Sequence, residues 1–358
     1  MKPRSRRVTL STGVKVRTPL LMPSVSSAGF DETKITEGDN VLTVPEPWKW
    51  LLIAEAGITE ALLVSAYDLH YGKLPDTDAL RHRYPLSLYG RIRHLFIDSG
   101  LYEKVYGPPP YRGARRSWSE EMLRAQLDGI GRGCDNAVII NYDGYDRRGR
   151  LPFDQQIASA RRFFRDRKRF GSDFLVKPER RGGRLDRDGI SRLTPHMKDL
   201  HGFDIIGVTE KELGDSLLER LTHLALLRAA LTREGIERPI HVFGALDPLF
   251  TPLYFAAGGE IFDGLTWMRY GYHLSMSVYR EAVPLLQQMQ SLDEPRDVRI
   301  ATVMNANVRF LGALTQTMRD FAAKAADNRW DLYGPHVAGY LEAAHRAMLT
   351  NLADQEED

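Results

Sequence analysis

Eight short apolar runs, most of them followed by a segment of helical length, constrain this chain more than any other feature. They are TPLLMPSV (18–25), ALLVSAYD (61–68), HLFIDSG (94–100), NAVIINYD (136–143), DFLVKPE (173–179), FDIIGVT (203–209), PIHVFGA (239–245) and IFDGLTW (261–267). Each is rich in Val, Ile, Leu or Phe and does not alternate with polar residues, as expected of strands buried on both faces. Between them lie helical patterns such as WSEEMLRAQLDGIG, FDQQIASARRFFRDRKRF and LGDSLLERLTHLALLRAALTREG. This alternation argues a parallel sheet with crossover helices. Eight strands are what a closed barrel requires, so the expected fold class is α/β, a (β/α)8 TIM barrel. A doubly wound open sheet is the competing arrangement. Helical patterns at 304–326 and 330–349, the second broken at Gly334–Pro335, are expected to be C-terminal closing helices. One domain is expected over 1–350, with an acidic tail over 351–358.

With 358 residues, 43% of them hydrophobic, the chain can bury a large core. The net charge of +2 announces no polyanion partner, but its distribution is uneven. Residues 111–190 hold 19 Lys+Arg against 12 Asp+Glu, an excess of seven. The arginines cluster in YRGARR (111–116), DRRGR (146–150), RRFFRDRKRF (161–170) and ERRGGRLDR (179–187). Phosphate binding and a solvated, ion-paired helix face are equally good accounts of such runs. A single cysteine, Cys134, excludes an internal disulfide and a cysteine-based zinc cluster, and fits a reducing cytoplasm. No apolar run approaches membrane-spanning length, and the basic start MKPRSRRVTLSTG lacks the apolar stretch of a signal peptide.

Several runs end in polar groups: Asp98, Asp143, Lys177 with Glu179, and Asp263. In a barrel, such strand ends converge on the C-terminal mouth, where the chemistry of this fold sits. Two carboxylates there can work at a glycosidic carbon, one as nucleophile and the other moving protons. A single strand-end aspartate is more often the cap of the next helix. Tyr102 and Phe243 lie at or just past strand ends and could sandwich a flat base. Gly207 and Gly244 mark a tight turn or a close approach to a ligand. The histidines, His70, His82, His94, His201 and His241 among them, show no ligand spacing, so no metal site is expected.

Taken in order, these segments resemble the tRNA-guanine transglycosylase superfamily. TPLLMPSVSSAGF is similar to its opening strand, SAYDL to its Asn-Thr-Tyr-His-Leu segment, and FIDSGLYE to its Asp-Ser-Gly-Gly motif. INYD is similar to the strand ending in its base-reading aspartate, HVFGALDP to its Met-Gly-Val-Gly-Thr-Pro loop, and IFDGLTWMRY to its nucleophile strand. NVRFLGALTQTMRD (307–320) looks like its C-terminal helix. The resemblance implies Asp263 as nucleophile at C1′ and Asp98 as general acid and base. It implies Asp143 at the polar edge of the base, Tyr102 and Phe243 on its faces, Gly244 keeping the pocket floor open, and Arg269 near the nucleic-acid backbone. Lys177 stands where the family reads the base with glutamine, and IIGV (205–208), with Gly207, only loosely matches its Gly-Gly-Leu. Arg112, Arg115 and Arg116 would then bind phosphates.

The implied activity is exchange of guanine for a 7-deazaguanine such as preQ0 or preQ1 in DNA or tRNA. Homodimers or a larger modification complex would be the assembly. The family's zinc ligands, three cysteines and a histidine, are missing: the segment after the barrel has no cysteine, and Ala306-Asn307 stands for the His-Asn pair. No cofactor is therefore expected. Two alternatives remain open, glycosidase or base exchange on free nucleosides or nucleotides, and a non-catalytic subunit partnering a catalytic homologue.

Overall fold

The computed structural model of the protein describes residues 3–28, 32–37, 40–45, 60–74, 92–106, 117–130, 137–143, 150–180, 183–286, 296–324 and 329–357. Its strands are β1 (Arg7–Thr9), β2 (Lys15–Arg17), β3 (Leu20–Val25), β4 (Glu32–Glu37), β5 (Asn40–Pro45), β6 (Ala61–Ser65) and β7 (His94–Asp98). They continue with β8 (Val138–Ile140), β9 (Gly171–Leu175), β10 (Ile205–Thr209), β11 (Ile240–Phe243), β12 (Ile261–Gly264), β13 (Gly271–His273) and β14 (Met276–Val278).

Eight of these, β3, β6, β7, β8, β9, β10, β11 and β12, form a closed barrel in which every pairing is parallel. The last strand returns to the first through Ile261↔Leu20 and Asp263↔Met22. The fold is the TIM barrel expected from the eight apolar runs, and each run supplies one strand. Helices lie between strands, among them Glu120–Asp128, Phe153–Arg165, Arg187–Leu193 and Leu217–Arg233. Their starts are chemically specified. Ser119 accepts from the Met122 N–H, Asp186 from the Gly189 N–H, and Ser216 forms a capping box with Glu219.

Side chains of successive strand residues alternate between two cores. One set packs inside the barrel: Leu20, Met22, Ala61, Leu63, Phe96, Val138, Ile140, Leu175, Ile205 and Ile261. The other set packs outward under the helices. The N-terminal end of the barrel is plugged by the β1–β2 hairpin, whose Val8, Leu10 and Val16 complete the inner core. Two side chains pin this plug. Asp204 accepts from the backbone and hydroxyl of Ser11, and Glu260 takes both Arg6 Nε and Arg6 Nη2 at 2.8 Å. Among the described residues the N-terminal end is thus closed by packed side chains, and the polar strand ends lie at the C-terminal mouth.

The chain after β12 closes the wall as expected. Helix Arg296–Ala323 lies against β3 and the β13–β14 hairpin. Helix Ala338–Glu357 lies against Leu217–Arg233 and Thr251–Ala256. Residues 351–357 of the acidic tail continue that helix, and Leu352 packs onto the outer core. Asn307 is buried and commits its amide to backbone. It donates to Trp267 O and Tyr270 O and accepts from the Tyr272 N–H at 2.7–2.9 Å. It thereby ties the segment after β12 to the helix. No described helix is long and apolar enough to cross a membrane.

Candidate active site

The inward parity that buries Met22, Leu63, Phe96 and Ile261 delivers Ser24, Ser65, Asp98 and Asp263 to the next layer, at the C-terminal mouth. Thr209 and Phe243 complete β10 and β11 at the same level, side by side in register. Lys177 arrives two and four residues beyond the inward Leu175 and Asp173.

Asp263 is buried and accepts three hydrogen bonds. Ser24 Oγ donates to Oδ2 at 2.6 Å, the Gly244 N–H to Oδ1 at 3.1 Å, and His241 Nε2 lies 3.2 Å from Oδ1. Gly244 is set by backbone and not by space. A Cβ there would meet nothing within 4 Å, but its φ of +83° suits glycine and turns its N–H toward Asp263.

Asp98 has the opposite surroundings. Burial first, then the neighbouring carboxylates Glu103 and Asp143, push its carboxyl up to about 8, against the pull of the Gly100 N–H. That N–H donates to Asp98 Oδ2 at 3.1 Å. Behind Asp98 lie two more buried acids. Glu103 accepts from Ser26 Oγ at 2.5 Å and Ser65 Oγ at 2.7 Å; burial and Asp68 raise it to about 7. Asp68 accepts from the Ser27 N–H at 2.7 Å, and burial raises it to about 7 as well. Asp68 falls on helix Ala66–His70 and not at a strand end, because the β6 ladder stops at Ser65.

Asp143 and Lys177 form the third part of the mouth. Lys177 Nζ lies 3.2 Å from Asp143 Oδ2, 3.2 Å from Glu212 Oε2, and donates to Thr209 Oγ1 at 2.9 Å. Burial opposes its charge, but Asp143 and Glu212 hold its pKa above the ordinary lysine value. Ser99 Oγ donates to the other Asp143 oxygen at 3.0 Å. The three Lys177 N–H groups thus face three protein acceptors, and Asp143 is held through both of its oxygens.

Phe243 lies flat on His241, with ring centroids 3.8 Å apart. Gly207, one layer deeper, makes room for this: a Cβ there would sit 2.7 Å from Phe243 Cε2 and 2.9 Å from Asp173 Oδ1. Tyr102 stands at the rim, 40% exposed, and Arg269 Nη2 donates to its hydroxyl at 3.5 Å. The mouth therefore gathers Asp98, Asp143, Lys177, Phe243, Gly244 and Asp263, with Gly207 beneath and Tyr102 and Arg269 on the edge.

Other expectations fare differently. Glu179 does not converge on the mouth; it accepts from the Phe153 N–H and from Arg192 Nε, starting a helix of the outer layer. Arg112, Arg115 and Arg116 lie outside the described residues, as does Cys134. Among the described arginines of the basic region, many are already engaged. Arg167 is buried and paired with Asp128, Arg161 pairs with Asp199, Arg184 with Asp215, and Arg150 with Glu212 at 2.5 Å. Ion pairing accounts for these, so phosphate binding rests on the remainder. No group of three or more His, Cys, Asp or Glu among the described residues is arranged to hold a metal ion.

Asp173 and His241 are absent from the expected site and central to the observed one. Both are fully buried, and His241 Nδ1 lies 2.6 Å from Asp173 Oδ2. The available signal was parity. His241 is two residues before the inward Phe243, and Asp173 two before the inward Leu175, so each is an ionisable group in mid-strand facing the barrel axis. Glu103 was likewise visible, five residues after Asp98. No protein-family model matches the chain, and no curated protein matches it.

Proposed function

We propose that this protein is a base-exchange transglycosylase acting on guanine in a nucleic acid, with Asp263 as nucleophile and Asp98 as general acid and base. The observation that carries this reading is the contrast between the two carboxylates. Asp98 sits among other acids and holds its proton up to about pH 8. Asp263 sits instead between the Ser24 hydroxyl, the Gly244 N–H and His241, with no acid among its hydrogen-bond partners. One carboxyl that keeps its proton beside another held by donors suits a division into acid and nucleophile.

The steps balance as a double displacement. An Asp263 oxygen forms a bond to C1′ while the C1′–N9 bond breaks and its electron pair goes to the leaving guanine. The Asp98 carboxyl gives that base its proton and becomes a carboxylate. An incoming 7-deazaguanine then gives its N9 proton to Asp98. Its nitrogen forms the new bond to C1′, and the ester C1′–O bond breaks to restore Asp263. Asp143 and Lys177 would hold the edge of the base. Phe243 and Tyr102 would cover its faces, and the target nucleotide would leave its stack to reach the mouth.

The test is exchange of labelled guanine into tRNA, duplex DNA and free guanosine, with adduct trapping on denaturing gels. The wild-type protein is expected to form an adduct with one polymer, and Asp263→Ala none. An adduct that survives in Asp263→Ala overturns the assignment of nucleophile. Exchange on guanosine alone would assign the same chemistry to a small substrate.

A further inference from the structure

We propose that His241 is a positioning residue for Asp263: its ring, clamped by Asp173, fixes Oδ1 of the carboxylate and leaves Oδ2 to form the bond to the sugar. The proposal rests on the base-exchange reading, and names a part of the machinery that reading does not contain.

The geometry begins with the ring. His241 lies at the centre of the barrel with both nitrogens facing carboxylate oxygens, Nδ1 at 2.6 Å from Asp173 Oδ2 and Nε2 at 3.2 Å from Asp263 Oδ1. A neutral imidazole has one bare nitrogen, whose lone pair would then face an acceptor. Protons on both nitrogens satisfy both contacts. Burial works against that charge, but Asp173 and then Asp263 override it and push the imidazole up to about 9. Burial raises the Asp173 carboxyl, and His241 is what opposes that rise; its Oδ1 has no hydrogen-bond partner among the described residues, so the ring, at 2.6 Å, is the main compensation for a charge there. Phe243 on one face and Phe96 edge-on prevent the ring from turning away.

The two oxygens of Asp263 are therefore unequal. Oδ1 is held by two N–H donors, His241 and Gly244, both coming from β11 and the turn after it. Among the described residues Oδ2 is held by the Ser24 hydroxyl alone, which can rotate. When Oδ2 bonds to C1′, Oδ1 becomes the ester carbonyl oxygen and stays under the same two donors. When the incoming base breaks the C1′–Oδ2 bond, the electron pair returns to the carboxylate and the imidazolium stabilises its charge. His241 therefore favours free carboxylate over ester, and its loss should favour the ester.

Three measurements test this. In the free wild-type protein, nitrogen-15 NMR of His241 should show both ring nitrogens protonated at neutral pH; a neutral tautomer overturns the proposal whatever the activity. In His241→Gln, the ratio of adduct to free enzyme at fixed guanine should rise roughly tenfold or more, the order expected for one charge-assisted hydrogen bond. A merely structural role slows formation and release of the adduct alike and leaves that ratio unchanged, which also overturns it. Asp173→Asn keeps the ring in place and should shift the ratio the same way by less, so the question survives if His241→Gln does not fold. If the wild-type protein forms no adduct with any nucleic acid or nucleoside, the base-exchange reading fails and this proposal with it. An adduct whose ratio ignores both variants removes only His241.

Discussion

Replacing Asp98 by asparagine should stabilise this protein, and increasingly so as the pH rises. In the folded chain the Asp98 carboxyl titrates at about 8, against 3.8 for an ordinary aspartate. Below the ordinary value both folded and unfolded forms carry the proton, and the carboxyl costs nothing. Between the two values the folded form holds a proton that the unfolded form has released, so folding loses ground as the pH climbs. Above about 8 both are ionised and the whole penalty is present. At about 1.4 kcal/mol per pH unit the ceiling is about 5–6 kcal/mol. Asp98 is only partly buried at the mouth, so water screens it, and about 2–3 kcal/mol is the working figure. Asparagine keeps the size and the oxygen that accepts from Gly100, and does not titrate. Urea denaturation of both proteins should show nearly equal stability at pH 4 and an Asp98→Asn advantage of about 2–3 kcal/mol at pH 9. A difference that stays flat from pH 4 to 9, or a variant less stable at pH 9, refutes the argument that Asp98 is a strained acid. The same substitution should abolish proton transfer to the leaving base, so stability and activity move in opposite directions.

Lys177→Met strands Asp143 and Glu212 without their shared cation, although Glu212 keeps Arg150. A loss of about 3 kcal/mol is expected by thermal or urea unfolding. The double variant with Asp143→Asn should recover most of that stability but not base affinity measured by calorimetry; recovery of both would place base reading elsewhere. Gly244→Ala forces a side chain onto a φ of +83°. It should cost about 1–2 kcal/mol and slow adduct formation as its N–H leaves Asp263; unchanged single-turnover rates would mean that this donor is dispensable.

An apolar run reveals that a strand is buried but not where its ladder ends. The run at 61–68 therefore carries Asp68 to a strand end, while the chain turns into a helix at Ala66. The β1–β2 hairpin was also written plainly, as Val8–Leu10 and Val14–Val16 alternating with polar residues on either side of a Thr-Gly turn, but its basic charge draws the eye instead. Strand-end polar groups are legible because they interrupt an apolar pattern at its edge. Asp173 and His241 interrupt it in the middle, where only knowledge of which parity faces the axis separates a site residue from a packed one. Lys177 could be located, but not its partner Glu212, since that contact depends on how two neighbouring loops cross.

The two ends of the barrel contain the same kinds of residue in contrary arrangements. At the closed end, buried charge is matched by donors and opposite charge. Glu260 meets Arg6, Arg228 and the Thr18 hydroxyl, and Asp204 meets two serines with their backbone N–H groups. Such matching holds the plug in place. At the C-terminal end, Asp68, Glu103 and Asp98 crowd together with hydroxyls and two backbone N–H groups, those of Ser27 and Gly100, as their main donors, and all three are raised by burial and by one another. Packing alone would favour replacing them with apolar residues of similar size. Their cost is borne at the C-terminal mouth, beside Asp263. Strain of this kind is what the proposed pairing of a proton donor with a nucleophile would require, and it supports that proposal on electrostatic grounds separate from the sequence resemblance.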